Sequence, residues 1–255
     1  MATFAELDIP FPLFEGAAEN SDYLGLSTCF LCSVSNRHCF CLSGSVIVPC
    51  PCCQTPTGLS SYDRTDELCR NCATPVSFPA LPDVSCETTD DELCVCYQCL
   101  RVGRAAFTKD TEYGMVTWEH DVQSQTHGVP GLLMPGLEQV AVGNNGDPTT
   151  VSRETWNAVR LPSETIWELL RTPGYVTWQG ERWQFCGPTA MIYVGEWHQA
   201  DFARHAPDGD GKTFFYAVFP KADAELWQYV GGGRIIFYLF RCPNCGAYKG
   251  HWDMD

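Results

Sequence analysis

The stretch CPCCQTPTGLSSYDRTDELCRNC, residues 50–72, decides how the N-terminal part of this chain is held together. It contains two Cys-x2-Cys pairs, Cys50/Cys53 and Cys69/Cys72, separated by residues 54–68. Two residues between thiolates allow a tight turn to direct both sulfurs at one ion about 2.3 Å away, and this spacing is typical of zinc ribbons. The intervening loop is rich in Pro, Gly, Asp and Thr and offers little apolar core. The sequence therefore predicts a four-sulfur zinc site here.

Three further Cys-x2-Cys pairs lie outside this segment: Cys29/Cys32, Cys96/Cys99 and Cys242/Cys245. The first two flank the predicted ribbon, and we expect them to form a second four-sulfur site that clamps it. Sequence alone cannot fix the connectivity. The cysteines close enough in sequence to replace one of these ligands are Cys39, Cys41, Cys86 and Cys94. Cys52 shares a turn with Cys50 and Cys53, and we interpret it as a bystander.

The pair in YLFRCPNCGAY, Cys242/Cys245, follows a strand-like run and ends in Cys-Gly, a pattern typical of a zinc knuckle. Cys186 together with His198 or His251 could complete a third site. Otherwise the pair is a reduced dithiol, a half-site completed by an N-terminal cysteine, or a redox pair. We therefore predict two to three zinc ions per chain.

Length and charge restrict the class of protein. A chain of 255 residues corresponds to one or two domains with a sizeable core. The formal charge of −15 disfavours a nucleic-acid partner and leaves a basic protein partner open. Hydrophobic residues make up 45% without any run long enough to span a bilayer, so we expect a soluble globular protein that does not enter membranes. A secretory signal begins with basic residues, but no Lys or Arg precedes Arg37 in this sequence. We therefore expect a cytoplasmic location.

Periodicity predicts an α+β fold in three segments: a cysteine-rich zinc-binding region over 1–105, a loop-rich connection over 106–160, and a small α+β region over 161–255 that ends in the zinc knuckle. Ser163 is the expected cap of a helix through SETIWELLR. A turn around 208–211 is expected between the helix-like HQADFARHA and a following strand. The predicted strands are SGSVIVP, AMIYV, TFFYAVF and RIIFYLF, and ADAELWQYV is predicted as a short helix.

Three stretches resemble the CbrC family, bacterial proteins associated with colicin tolerance that carry several Cys-x2-Cys motifs. They are RTPGYVTWQGERWQFCGPTAMIYVG, YLFRCPNCGAYKGHWDMD and CYQCLRVGRAAFTKDTEYGM. The N-terminal FPLFEGAAENSDYLGLSTCFLC resembles a longer variant of that family. The resemblance implies ligand roles for Cys29/Cys32, Cys96/Cys99 and Cys242/Cys245. The family's His-Cys after the tryptophan is replaced here by Phe185-Cys186, which weakens the case for a third site on Cys186.

The chain shows no catalytic triad, phosphate-binding loop or acid–base pair that identifies an enzyme. The resemblance and the acidic charge favour a zinc-stabilised, non-enzymatic tolerance or immunity-like factor that binds a basic protein such as a nuclease toxin. The alternative is a thiol–disulfide or metal-dependent enzyme that uses Cys242/Cys245. A pair with a lowered thiol pKa usually stands at a helix N-terminus, whereas this one follows a strand, which counts against the alternative.

Overall fold

The computed structural model describes residues 2–59, 66–79, 93–118, 126, 129–130, 136–142 and 156–254. Its helices are α1 (Tyr97–Arg101), α2 (Ser163–Leu170), α3 (Gln199–His205) and α4 (Gly211–Val218), with 3₁₀ turns at Ala18–Asn20 and Leu226–Tyr229. Its strands are β1 (Tyr23–Ser27), β2 (Arg37–Cys41), β3 (Gly44–Pro49), β4 (Pro56–Leu59), β5 (Asp66–Leu68), β6 (Pro75–Ser77), β7 (Cys94–Cys96), β8 (Ala105–Phe107), β9 (Lys109–Thr111), β10 (Gly114–Val116), β11 (Val129–Pro130), β12 (Gln139–Val142), β13 (Trp156–Val159), β14 (Phe185–Cys186), β15 (Thr189–Ala190), β16 (Ile192–Glu196), β17 (Ile235–Arg241) and β18 (Tyr248–Met254). The predicted mixture of helices and strands is confirmed.

The chain divides into two compact units that do not follow chain order. Unit 1 comprises Met1–Asn20, Asp110–Glu112 and Tyr175–Asp255, and unit 2 comprises Ser21–Lys109 and Tyr113–Gly174. The three segments predicted from the sequence stay a prediction. The units differ from them because backbone hydrogen bonds tie the N-terminal residues to β16, where Tyr193 N–H donates to Leu13 and Glu15 N–H donates to Tyr193.

Unit 1 is built on the antiparallel sheet β16-β17-β18. Its central strand β17 is buried on both faces, as its continuous apolar run predicts. Phe237 and Leu239 belong to a core cluster with Phe215 of α4. On the other face Phe240 contacts Tyr175 in an edge-on arrangement with ring centroids 5.6 Å apart. A turn through Cys242–Cys245 joins β17 to β18.

The predicted strand TFFYAVF is wrong, because it is the helix α4. Asp210 caps the helix by accepting a hydrogen bond from the backbone N–H of Thr213 at 3.0 Å. Phe215 and Phe219, four residues apart, are both buried, which is the spacing of one helix face. The turn at 208–211 consequently joins two helices, α3 and α4, and not a helix and a strand. In ADAELWQYV the structure has a 3₁₀ turn over Leu226–Tyr229.

Unit 2 contains the small sheets β1-β2-β7, β4-β3-β8, β5-β6 and β11-β13-β12. Strand β3 runs through the predicted SGSVIVP and lies between β4 and β8. Gly58 of β4 leaves room for a side chain of the same unit, since a Cβ there would lie 1.9 Å from Cδ1 of Trp118. The predicted helix is α2, which buries Ile166, Leu169 and Leu170. Its N-cap is Pro162, so Ser163 is the first helical residue and not the cap. The strand run AMIYV is confirmed by β16 in unit 1.

No helix within the described residues combines the length and the apolarity needed to cross a bilayer.

Candidate metal centres

Four of the five Cys-x2-Cys pairs form the same backbone turn. In each turn, the backbone carbonyl of the first cysteine accepts a hydrogen bond from the N–H of the residue four positions later. The backbone N–H of the same cysteine donates to the carbonyl of the residue five positions later, and these distances are 2.7–3.1 Å. The acceptor-side bonds are Ser33 to Cys29, Gln54 to Cys50, Ala73 to Cys69 and Gly246 to Cys242. The donor-side bonds are Cys29 to Val34, Cys50 to Thr55, Cys69 to Thr74 and Cys242 to Ala247. These turns place both sulfurs of a pair on one side of the backbone.

Each turn forces the residue after its second cysteine into the left-handed region. The φ angles are 55° at Ser33, 62° at Gln54, 54° at Ala73 and 73° at Gly246. Left-handed backbone costs a residue with a Cβ roughly 1–2 kcal/mol, so three of the four turns carry this cost. Such conformations persist where the surrounding structure requires them, often at ligand-binding sites.

The fifth pair is presented differently. Cys96 is the last residue of β7 and the N-cap of α1, and Cys99 lies in the first turn of that helix. Residues three apart on a helix share a face, so both sulfurs point the same way. Strand β7 pairs with β2, which places this helix start next to the turn at Cys29.

The first cluster consists of Cys29, Cys32, Cys96 and Cys99, whose sulfurs all lie within 4.8 Å of one another. The sulfur–sulfur distances are 3.8 Å for Cys29–Cys99 and 3.8 Å for Cys32–Cys96. Three of the four residues are buried. The structure thus pairs the two flanking motifs as predicted.

Two groups offset the negative charge that thiolates would bring to the first cluster. The backbone N–H of Cys96 donates to Cys29 Sγ at 3.3 Å. Burial raises the pKa of the Cys29 thiol, but hydrogen bonds from Cys96 and Cys32 outweigh it and the pKa is lowered. Arg104 Nη1 lies 3.7 Å from Cys99 Sγ, and its Nη2 donates to the carbonyl of Leu31 at 2.6 Å. No local sequence pattern predicts this contact, because Arg104 and Leu31 are 73 residues apart.

The second cluster consists of Cys50, Cys53, Cys69 and Cys72, again within 4.8 Å of one another. Sulfur–sulfur distances are 3.5 Å for Cys50–Cys72 and 3.6 Å for Cys53–Cys69. Cys50 and Cys69 are buried. Two hairpins carry it: one turn joins β3 to β4 and the other joins β5 to β6.

The two halves of the second cluster are an internal repeat, C-x-x-C-x-T-P, over residues 50–56 and 69–75. The threonine hydroxyls occupy equivalent positions, with Thr55 3.2 Å from Cys53 Sγ and Thr74 3.2 Å from Cys72 Sγ. Hydrogen bonding by Thr55 and Asn71 lowers the pKa of Cys53 to about 5. The repeat is a signal in the sequence that predicts the threonine contacts, and sequence reasoning missed it.

The sulfur–sulfur distances test whether a single ion fits. Four ligands about 2.3 Å from a tetrahedral centre stand about 3.8 Å from one another. A disulfide would bring two sulfurs to about 2.05 Å. The observed distances of 3.5–3.8 Å fit a tetrahedral four-thiolate site, and the described cysteines are free thiols.

The third cluster lies in unit 1 and contains Cys186, Cys242 and Cys245, with 3.9 Å between the sulfurs of Cys186 and Cys245. Neighbouring thiols and burial raise the pKa of Cys186 to about 11. The predicted completion by histidine is wrong. His251 Nε2 lies 2.6 Å from the hydroxyl of Tyr175, and His198 is the N-cap of α3, with its backbone N–H donating to Asp201.

The remaining cysteines that the structure describes do not join these clusters. Cys39, Cys41 and Cys94 lie on β2 and β7 and are not among the grouped sulfurs, although Cys39 pairs with Cys96 in the sheet. Burial together with the Cys94 thiol raises the pKa of Cys39. Cys52 is exposed, consistent with a bystander. Cys86 lies outside the described residues. The structure therefore gathers all ten predicted cysteines, and it groups Cys186 with Cys242/Cys245, which was one of the alternatives for the third site.

A family model described as "Uncharacterised protein family (UPF0167)" matches residues 53–254. A UPF0167 protein from Pseudomonas aeruginosa is 33% identical over 90 residues, which cover 33% of this chain and 48% of that protein. The chain thus spans about half the length of this curated relative. No solved structure matches the chain. The matched range includes the whole third cluster, whereas Cys29, Cys32 and Cys50 precede it.

Proposed function

The chain belongs to the UPF0167 family, and from that premise we propose that it is a zinc-stabilised, non-enzymatic protein that binds a basic protein partner. Its proposed role is that of a tolerance or immunity-like factor, as the resemblance to the CbrC family implies, and its proposed location is the cytoplasm. The observation that carries the metal part is the pair of four-sulfur clusters with tetrahedral spacing. The acidic charge supports the partner part.

Zinc is the metal that this donor set favours. Soft thiolate ligands in a four-sulfur tetrahedron are typical of zinc or iron–sulfur centres. The sulfurs of each four-cysteine cluster lie within 4.8 Å of one another, which suits a single ion. With four protein ligands no position is left for a substrate, as in structural zinc sites. The hairpin pair around Cys50, Cys53, Cys69 and Cys72 is on this proposal a zinc ribbon.

The metal content can be measured by elemental analysis of tag-free protein. We expect two to three zinc ions per chain. Structural zinc binding contributes about 10–16 kcal/mol in zinc-finger peptides, about as much as the whole stability of a domain. Chelation should therefore unfold the region around the two four-sulfur clusters, observed as lost amide-exchange protection. Folded protein without bound metal would overturn the proposal.

The partner is proposed to be basic because the electrostatic field of the chain is strongly negative. Thiolate ligation at two four-sulfur sites takes the formal charge from −15 to about −19. Such a field accelerates the association of a basic protein, and salt screens it. Two of the basic residues beside the first cluster are engaged within unit 2, Arg101 with Glu168 and Arg104 with the carbonyl of Leu31.

The partner is tested by affinity capture from lysate at about 0.01 M and about 1 M salt, where the Debye length falls from about 30 Å to about 3 Å. We expect a basic protein to be retained at low salt and released at high salt. A charge-reversed variant, D223K/E225K, should retain less of it at low salt, because both residues are exposed. Recovery of no basic protein at low salt would contradict the proposal.

The alternative function, a thiol–disulfide or metal-dependent enzyme, is favoured by one observation: Cys245 is exposed. Against it, the Cys242/Cys245 pair forms a turn after a strand and not a helix N-terminus. Thiol titration with zinc retained and with zinc removed separates the two functions. A redox pair should react while the metal stays bound, whereas ligands should react after chelation.

A further inference from the structure

The third cluster differs from the other two in its number of donors. Cys186, Cys242 and Cys245 supply three sulfurs within 4.8 Å, and no fourth His, Cys, Asp or Glu joins them among the residues that the structure describes. Three protein ligands with one open position is the arrangement of zinc sites that bind an exchangeable ligand, whereas structural sites have four.

The cluster is held in place by contacts that do not involve its sulfurs. Asn244 Nδ2 donates to Thr189 Oγ1 at 3.1 Å, which links the cysteine turn to the hairpin that carries Cys186. The backbone N–H of Phe185 donates to Glu112 Oε1 at 2.8 Å, and Lys249 Nζ donates to the carbonyl of Phe185. The three thiols are therefore positioned by the fold before any metal binds.

The side of the cluster away from the core is open. Cys245 is exposed, Cys186 is half-buried and Cys242 is buried. The turn residues 243–247 are exposed, and so are Gly187 and Pro188. Phe185 is 0% exposed, and because adjacent strand residues point to opposite faces, a side chain at that position cannot reach the metal beside Cys186. A histidine at position 185 would therefore not supply the fourth ligand.

We propose that Cys186, Cys242 and Cys245 bind one zinc ion and leave its fourth coordination position to water, which a neutral imidazole nitrogen from another molecule can replace. This inference rests on the proposed zinc content. Three thiolates and Zn²⁺ sum to a charge of about −1. A neutral donor leaves that charge unchanged, whereas a fourth thiolate would add a negative charge to a chain that already carries −15.

The test uses tag-free full-length protein, with zinc counted by elemental analysis and cobalt substituted for spectroscopy. Wild type should bind three metal ions and Cys186→Ser two. Titration with free imidazole should change the visible bands of wild-type cobalt protein saturably. Cys186→Ser should show no such change, since the two four-sulfur sites have no open position. Cys52→Ser, which alters an exposed cysteine outside the clusters, should behave as wild type.

The outcomes are distinguishable. Two ions in wild type, or three ions without any response to imidazole, would overturn this inference and leave the proposed function intact. No bound metal at all would overturn both. If Cys186→Ser failed to fold, Cys245→Ser would replace it, because that side chain is exposed and its loss leaves no cavity. An imidazole response that survives in the variant that folds would also overturn the inference.

Discussion

Replacing Cys69 by Ser should weaken one zinc site by a calculable amount, whereas replacing Cys52 should not. Both cysteines lie in the ribbon segment and both changes exchange sulfur for oxygen. Cys69 is 2% exposed, with its sulfur 3.6 Å from that of Cys53. Cys52 is exposed and contributes no sulfur to a cluster. Its backbone N–H is retained in serine, so the matched variant keeps every contact to the second cluster.

The magnitude follows from sharing the binding free energy among four sulfurs. A structural site provides about 10–16 kcal/mol, so one ligand corresponds to about 2.5–4 kcal/mol. Because about 1.4 kcal/mol is a factor of ten, the zinc affinity of this site should fall by about two to three orders of magnitude. The loss is a substantial part of the stability of a domain, about 5–15 kcal/mol, so the thermal midpoint should fall too.

The assay is competition for zinc against a chromophoric chelator, read as the chelator concentration that removes each equivalent. One equivalent should leave Cys69→Ser at far lower chelator concentration than in wild type. The curve of Cys52→Ser should overlay that of wild type. The ligand assignment would be refuted if both variants bound zinc with the same affinity, whether that affinity matched wild type or had fallen in both.

Three further predictions follow from contacts elsewhere. Burial, and more weakly Arg182, lowers the pKa of His251 to about 4, against the opposing effect of Asp253. As the pH falls, the histidine of the unfolded chain therefore binds a proton before that of the folded chain. The free energy of unfolding should fall by up to about 3 kcal/mol between about pH 6.5 and pH 4. The difference between wild type and His251→Gln in denaturant melts across pH 4–7 should show this loss, and a flat difference would contradict it. Glu168→Gln should lower the free energy of unfolding by about 1–3 kcal/mol, because Arg101 binds both carboxylate oxygens in a half-buried pair. Glu138→Gln, in the exposed pair with Arg160, should lower it by less than about 1 kcal/mol. Urea unfolding of both variants checks this ranking. Ala73→Gly should raise the free energy of unfolding by about 0.5–1 kcal/mol. Glycine removes the steric cost of the left-handed backbone at φ 54°, but the larger conformational entropy of glycine in the unfolded chain offsets part of that gain. A lower thermal midpoint would argue against this backbone geometry.

The error at TFFYAVF has a physical origin. A short run of aromatic and β-branched residues satisfies the periodicity of a buried strand and of a buried helix equally. The capping interaction of Asp210 with Thr213 decides for the helix, together with the packing of Phe215 and Phe219 into the core of unit 1. The packing depends on where the neighbouring elements lie, whereas the cap is a local contact within residues 210–213.

The sequence by itself determined the local chemistry: five Cys-x2-Cys pairs, the spacing between the pairs at Cys50 and Cys69, and the acidic charge. These are local or additive properties, because a turn of four residues aims its own two sulfurs. The sequence left several pairings of these motifs open. Only the tertiary structure decided among them, bringing Cys29/Cys32 to Cys96/Cys99 through the pairing of β2 with β7, and Cys186 to Cys242/Cys245. Sulfurs more than fifty residues apart meet only when sheets and hairpins are assembled, and no local pattern encodes that distance.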